Sequence, residues 1–222
     1  MSRSSLMLLL AALAGVAALP AQQAAGTIQS LGNASLSVLP DQAQITVSVS
    51  TDGATAQQAA QQNATQTTQV LTALQQVLGS NGTIQTVGYA ENPRYSNGSN
   101  PSIIGYTAVN SIQVTTYNLS LPGTLIDTAS QNGATNVGGL TFGLRDPDPT
   151  KQQALTAAAK QALAHAAAIA AGLGAKAGPV VSAQESASAT PVVLAATASS
   201  STPIQTGYVT VTASVTVTVQ LQ

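Results

Sequence analysis

Apolar residues recur along the chain with two different periods, and the changes of period predict an alternation of strands and helices. Residues 27–49 alternate between apolar and polar, which predicts two strands joined by a tight turn at Pro40 and Asp41. Over residues 55–78 the apolar positions recur every three or four residues and end at Gly79, as in an amphipathic helix with a glycine stop. The folded part of the chain therefore begins with a ββα passage.

A second ββα passage is predicted in the middle of the chain. Residues 83–95 and 103–117 alternate again, and the Asn, Gly and Pro residues between them, at 97–101, favour a turn. We therefore expect a long hairpin. Residues 122–131 predict a shorter helix that is closed by Gly133.

A strand over residues 136–144 leads into the clearest helix of the sequence, over residues 148–172. Asp148 suits the N-cap of this helix and Pro149 suits its first turn. The apolar stripe of the helix is predicted to consist of Leu155, Ala159, Ala162, Ala166, Ile169 and Leu173. Because half of these residues are alanines, the helix is expected to lie close against a sheet.

The last part of the chain contains two more predicted strands. A strand-like run follows Pro179, residues 187–202 are rich in Ser, Ala and Thr and predict a mobile loop, and valines alternate with Thr and Ser over residues 208–222. The resulting order, ββα ββα βα ββ, predicts an α+β domain with a mostly antiparallel β-sheet and helices packed on one face.

The first 21 residues differ from the rest and predict a cleaved signal peptide. Arg3 supplies a positive charge, residues 6–19 are almost unbroken in their apolar character, and Ala21 is a small residue at the predicted cut. An uncleaved membrane anchor is the alternative, but the apolar run has about 14 residues and a spanning helix needs about 20. We therefore expect a periplasmic or secreted protein with a single domain over residues 22–222.

The composition excludes several classes of function. Only 6% of the 222 residues are charged and the net charge is −1, so no basic surface for nucleic acid is expected. The same scarcity of charge leaves little repulsion between copies, which favours self-association. The chain has no cysteine, and this excludes disulfides, thiol catalysis and cysteine zinc sites.

Several short motifs occur in a characteristic order. They include Val38-Leu39-Pro40-Asp41, Asn92-Pro93-Arg94-Tyr95, Gly105-Tyr106-Thr107-Ala108, Leu140-Thr141-Phe142, Gly172-Leu173-Gly174 and Pro203-Ile204. In this order the chain resembles the SIMPL domain family of bacterial periplasmic and outer-membrane-associated proteins over essentially all of residues 22–222. It departs from the family in the alanine-rich helix over residues 148–172, which is poorer in charged residues.

The resemblance implies an α+β fold and export to the cell envelope, with peripheral association with the outer membrane as a further expectation. It also implies large ring-like or channel-like homo-oligomers, which some members form, and a link to oxidative-stress tolerance. The family supplies no catalytic residue to transfer to this sequence.

Few side chains offer candidate chemistry. His165 is the sole histidine and sits in the middle of a predicted helix, where a boundary position without catalytic function is the better interpretation. Asp146 and Asp148 could form a carboxylate pair, but aspartates between prolines at a helix start are more often caps. We therefore predict no catalytic residue, no metal site and no cofactor.

The five tyrosines supply nearly all the aromatic content, and four of them lie in or beside the predicted hairpin. They are Tyr89, Tyr95, Tyr106, Tyr117 and Tyr208. The favoured interpretation is that they add bulk to a core that is poor in Phe, because alternation turns several of them inward. The alternative is a sticky surface for a partner, formed around Tyr95 and Tyr106.

Three hypotheses about function follow from these observations. The leading one is a non-enzymatic envelope protein that self-assembles or scaffolds and contributes to stress tolerance. The second is a monomeric binding module for another envelope protein. The third is an enzyme of unrecognised type, which one histidine and no cysteine leave few ways to build.

Overall fold

The structure, a computed structural model, describes residues 26–192 and 204–222. The strands are β1 Thr27–Val38, β2 Gln42–Gly53, β3 Gly82–Tyr95, β4 Ile103–Thr116, β5 Asn136–Gly143, β6 Ala177–Val192 and β7 Tyr208–Leu221, and the helices are α1 Ala56–Leu78, α2 Pro122–Gln131 and α3 Asp148–Gly172. The predicted α+β class and element order are confirmed. The predicted signal peptide, residues 1–21, lies outside the described residues.

Within the described part of the chain the strands form two antiparallel sheets, each with helices on one face. One sheet has the order β1-β7-β6 and the other the order β3-β4-β2-β5. The two strands predicted over residues 27–49 are confirmed, but they do not pair with each other: β1 pairs with β7, and β2 pairs with β4 and β5. An alternating pattern is compatible with pairing to any neighbouring strand. Contacts between residues far apart in the sequence therefore determine which strand becomes the partner.

Helices α1 and α2 cover the four-stranded sheet. Helix α1 begins after Thr55, whose hydroxyl accepts a hydrogen bond from the Gln58 N–H at 3.2 Å, and it ends at Gly79 with φ 53°. The core between these helices and the sheet consists of Ile45, Val47, Val49, Val70, Leu74, Leu78, Ile112, Val114, Leu125 and Ala129. Both predicted helices and the predicted hairpin are confirmed.

Helix α3 covers the three-stranded sheet with a row of alanines. The buried residues of the helix are Ala154, Ala158, Ala162, Ala166 and Ala170, at intervals of four. The predicted stripe is thus partly wrong, because Ile169 is 44% exposed and Leu173 is 66% exposed. A contact line that advances four residues at a time follows an i±4 ridge, as when a helix crosses its partner at an angle.

The start of α3 differs from the prediction by one residue. Asp148 lies inside the first turn, after an N-cap at Pro147, and the Asp146 carboxylate accepts a hydrogen bond from the Asp148 N–H at 3.0 Å. The N-cap predicted at Asp148 is therefore wrong, because Pro147 takes that position and offers no side-chain hydrogen bond to the helix. Asp148 pairs with Lys151, with 3.4 Å between carboxylate and ammonium.

The loop predicted over residues 187–202 begins later than expected. Strand β6 continues to Val192, so residues 187–192 pair with β7, and residues 193–203 lie outside the described part of the chain. A polar Ser/Ala sequence extends as a strand here because β7 offers it a continuous backbone ladder. The C-terminal strand is confirmed as β7, which lies in the centre of its sheet with its valines facing α3.

Candidate interaction surface

The β3–β4 hairpin carries most of the exposed large apolar side chains of the four-stranded sheet. Every β3 residue from position 85 to position 95 is exposed. This segment, which we call the hairpin arm and which covers residues 85–106, carries Val87, Tyr89, Tyr95, Ile103 and Ile104 on its two faces, and each of these residues is more than half exposed. Concentrated exposed apolar side chains are typical of an interaction site.

Hydrogen bonds hold the hairpin arm in a defined shape. At the tip the Ser96 N–H donates to the Ser102 carbonyl at 2.8 Å, and the Ser102 N–H donates to the Ser96 hydroxyl at 3.0 Å. Further along, Arg94 forms an ion pair with Asp52 on β2, and the Thr107 hydroxyl donates to the same carboxylate at 2.6 Å. The arm is therefore a continuation of the sheet, and a partner would meet an ordered surface.

The two tyrosines predicted as an interaction surface both lie in the hairpin arm. Tyr95 pairs with Ile103 across the hairpin, and Tyr106 pairs with Pro93 on β3 and with Gly53 on β2. The side chain of Tyr95 is 56% exposed, whereas Tyr106 is half-buried. Tyr95 is thus the better presented of the two.

The favoured interpretation of the tyrosines as core residues is wrong. Tyr89, Tyr95, Tyr117 and Tyr208 are exposed, and none of the five is fully buried. The core consists of Val, Ile, Leu and Ala with Phe142. Alternation tells which face of a strand a residue occupies, but it does not tell whether another element covers that face.

Polar contacts occupy two of these tyrosines. The Tyr89 hydroxyl donates to the Glu91 carboxylate at 2.7 Å, and this hydrogen bond raises the pKa of Tyr89 above its ordinary value. The Arg145 guanidinium lies 4.0 Å from the centre of the Tyr117 ring, within the range of a cation–π contact. Both rings are thereby oriented at the surface.

The outer edge of β3 favours side-chain contacts over strand pairing. β3 pairs only with β4 in the described sheet, so its other edge is open. A bulge between Thr86 and Gly88 interrupts this strand, Pro93 lacks an N–H group, and Glu91 adds a charge. Such features prevent a long continuous ladder with another chain. A partner would therefore bind mainly through the exposed side chains of the hairpin arm.

His165 has a structural partner that the sequence did not reveal. Its Nδ1 lies 2.8 Å from the Leu31 carbonyl oxygen, which only accepts, so Nδ1 carries the proton. One turn earlier, the Gln161 side-chain oxygen accepts from the Asn33 N–H at 2.6 Å. Gln161 and His165 thus bind the outer edge of β1 and attach α3 to it. The one sequence signal is two polar residues four apart on an alanine-rich helix.

Replacing His165 with Ala is expected to reduce the free energy of unfolding by about 1 kcal/mol, because the Leu31 carbonyl loses its side-chain partner. Urea denaturation followed by circular dichroism measures the change. The control is Lys160→Ala, an exposed change on the same helix that is expected to stay within about 0.5 kcal/mol of the original protein. Equal values for the two variants would contradict this role of His165.

The described residues were also compared with the requirements of a metal site and of a membrane-spanning helix. In residues 26–192 and 204–222 no group of three or more His, Asp or Glu side chains is placed to hold a metal ion. In the same ranges, none of the helices combines the length and the apolar character that crossing a membrane requires.

Comparisons with known proteins agree on one family. A family model described as SIMPL, protein of unknown function (DUF541), matches residues 28–219. The chain is also 31% identical over 181 residues to YggE of Escherichia coli strain K12, described as an uncharacterized protein, and the match covers 78% of this chain and 72% of that protein. The YggE proteins of Escherichia coli O157:H7 and Shigella flexneri match to the same extent.

Proposed function

The chain belongs to the SIMPL family, a family of uncharacterized function, and we propose that it is a non-enzymatic, exported envelope protein that assembles with copies of itself through the hairpin arm. The observation that carries this proposal is the concentration of exposed apolar side chains on an ordered hairpin. Export rests on the signal-peptide pattern of residues 1–21.

The energetics favour a symmetric contact between two arms. Fully burying a Val, Ile or similar side chain contributes about 1.5–3 kcal/mol, and these side chains still have about half of that to gain. If one arm packed against a flat polar surface, the free energy gained by burying its apolar side chains would scarcely offset the roughly 4–15 kcal/mol that association costs. A two-fold contact uses the same surface on both copies and doubles the apolar area that is buried.

The scarcity of charge supports the same proposal. With a net charge of −1, two copies approach each other with almost no electrostatic repulsion. In the arm, Arg94 is already neutralised by Asp52, so its burial would not leave an unpaired cation. The contact would therefore depend little on salt.

The hydrogen bonds of His165 and Asp146 support a non-enzymatic function. The His165 Nδ1 binds a backbone carbonyl that attaches α3 to β1, which leaves Nε2 as the ring nitrogen that could act as a base, and no hydrogen bond of the described residues joins His165 to a nucleophile. The Asp146 carboxylate likewise accepts a hydrogen bond from the Asp148 N–H at the start of α3. The residues with the most obvious chemistry thus have structural partners.

We expect the chain, expressed with its full sequence and purified from the periplasm, to form a discrete oligomer. Size exclusion with light scattering at two salt concentrations gives the absolute mass, and intact-mass spectrometry of the same sample tests the removal of residues 1–21. Tyr95→Asp places a charge in the hairpin arm and is expected to shift the protein to a monomer.

The matched control is Tyr208→Asp, because Tyr208 is 51% exposed but lies on the other sheet. This variant is expected to keep the oligomer. A monomer in the unsubstituted protein would contradict self-assembly and favour the alternative, a binding module for another envelope protein. An unchanged oligomer in Tyr95→Asp would show that the hairpin arm is not the interface.

A further inference from the structure

The three-stranded sheet has one face that no described helix covers. On β7 the valines and Ala213 face α3, so the residues between them point to the opposite side. The register places neighbours from all three strands in rows on this side. The two central rows are Asn33–Ser214–Ser186 and Ser35–Thr212–Ser188. We call these six residues the hydroxyl face.

The chemistry of the hydroxyl face is polar and uncharged. Five of its six side chains are hydroxyls and the sixth is an amide, and the rows on either side add Ser, Thr, Gln and Leu31. A hydroxyl can donate one hydrogen bond and accept two. Ser188 and Thr212 lie 3.1 Å apart and bond to each other, which leaves most of this capacity unused. The face can therefore both donate and accept.

A cavity of about 420 Å³ is lined by the six residues of the hydroxyl face together with Ala34 and Ala213. It exists because Ser and Asn are short, and its size falls within the range of small-ligand sites, about 300–1,000 Å³. Tyr208 lies on the same side of β7, beyond Thr210, and is 51% exposed. The surface thus combines a shallow trough, lined by hydroxyl, methyl and methylene groups, with an aromatic ring at one end.

We propose that the hydroxyl face binds a neutral polysaccharide strand. An anionic or cationic ligand would find no opposite charge there, and an apolar ligand would leave the hydroxyls without partners. Same-face side chains repeat about every 6.7 Å along a strand and about every 4.8 Å between strands, so a polymer with regularly spaced hydroxyls can bond several rows at once. Tyr208 offers a face on which a sugar ring can pack.

This inference does not depend on the proposed function, because the hairpin arm belongs to the other sheet. Neutral hydrogen bonds individually contribute little, so binding to one chain is expected to be weak and insensitive to salt. An assembly that presents several hydroxyl faces would bind a long polymer more tightly.

Affinity electrophoresis of the full chain in native gels tests the proposal. The gels contain hydroxyethyl cellulose, galactomannan or dextran as neutral probes, carboxymethyl cellulose as an anionic probe, or no polymer. We expect at least one neutral polymer to retard the protein, with the same retardation when the salt concentration is raised.

Two variants locate the site. Ser186→Lys fills the cavity and adds a charge, and is expected to weaken retardation at least tenfold. Thr212→Val keeps the branched shape and removes one hydroxyl, and is expected to weaken it about threefold. The control is Thr83→Val, an exposed change on β3 that is expected to keep full retardation. Circular dichroism verifies that each variant is folded. If Ser186→Lys does not fold, the retardation of Thr212→Val tests the site.

Several results would overturn the proposal. No retardation by any neutral polymer, equal retardation of Thr212→Val and the original protein, or binding only to carboxymethyl cellulose would each do so. A change in the mass of Ser186→Lys by light scattering would show instead that the hydroxyl face is a contact between copies. An unchanged mass together with lost retardation would support a polysaccharide site even if the hairpin arm proves not to drive assembly.

Discussion

Replacing Gly32 with alanine is expected to reduce the free energy of unfolding by about 3 kcal/mol. A methyl group on Gly32 would lie 2.0 Å from the Ala158 carbonyl oxygen and 2.4 Å from the Ala162 nitrogen. These are backbone atoms of α3, and they cannot rotate away. To admit the methyl group, the whole helix must move off the sheet, and the 2.7 Å hydrogen bond from the Ser30 hydroxyl to the Ala162 carbonyl lengthens. Urea denaturation of the two proteins measures the loss.

The matched control for this prediction is Gly172→Ala at the end of the same helix. Apart from its chain neighbours and the adjacent backbone of α3, a methyl group there meets no described atom within 4 Å. The change is expected to be neutral or to stabilise by up to about 1 kcal/mol, because alanine restricts the unfolded chain. A loss below about 0.5 kcal/mol in Gly32→Ala would contradict the close contact between α3 and β1.

Replacing Asn63 with aspartate is expected to destabilise the protein by about 4 kcal/mol at pH 7. Asn63 is a fully buried residue of α1, and its amide nitrogen donates to the carbonyl oxygens of Val49 at 2.9 Å and Ala108 at 3.0 Å. In Asn63→Asp a carboxylate would face these two oxygens and would have no donor toward them. Thermal and urea denaturation at several pH values measure the effect.

The pH dependence of Asn63→Asp gives this prediction a second test. Burial and the facing carbonyls would raise the pKa of the new carboxyl in the folded state, because both penalise its charged form. A raised pKa means that the folded state holds the proton more tightly than the unfolded state, so stability falls as the pH rises above about 4. The deficit relative to the original protein should therefore be smaller at pH 4 than at pH 7.

Two controls separate burial from charge. Gln62→Glu adds the same charge at an exposed position of α1 and is expected to stay within about 0.5 kcal/mol. Asn63→Leu removes the two donated hydrogen bonds and the one that the Asn63 side chain accepts from the Thr67 hydroxyl, without adding charge, and is expected to cost about 2 kcal/mol with no new pH dependence. Equal deficits for Asn63→Asp at pH 4 and pH 7 would contradict a buried carboxylate.

Local signals in the sequence were sufficient for the limits of α1 and α2. The limits of α1 follow from the Thr55 cap and Gly79, and those of α2 from Pro122 and the Asn-Gly pair, because caps and stops act on the backbone within a few residues. Strand β7 was equally clear, since its valines alternate over its whole length. Such features depend on neighbours along the chain.

The candidate surfaces were predicted less completely. Tyr95 and Tyr106 were placed on the hairpin, but the exposure of Val87, Ile103 and Ile104 depends on which elements pack beside the hairpin, and alternation along a strand carries no information about that. The hydroxyl face was not predicted at all. Its residues come from three strands, and only the register of β1 and β6 on β7 brings them into rows.

The sequence by itself determined the α+β class, the order of ten elements, the family resemblance and the polar, charge-poor surface. Only the tertiary structure decided that β1 and β2 belong to different sheets, that alanines and not Ile169 face the sheet, and that His165 binds a strand edge. The physical reason is the distance along the sequence over which each effect acts. Period and caps are local preferences of the backbone, whereas strand pairing and the choice of a buried face among many alanines depend on contacts between residues far apart in sequence.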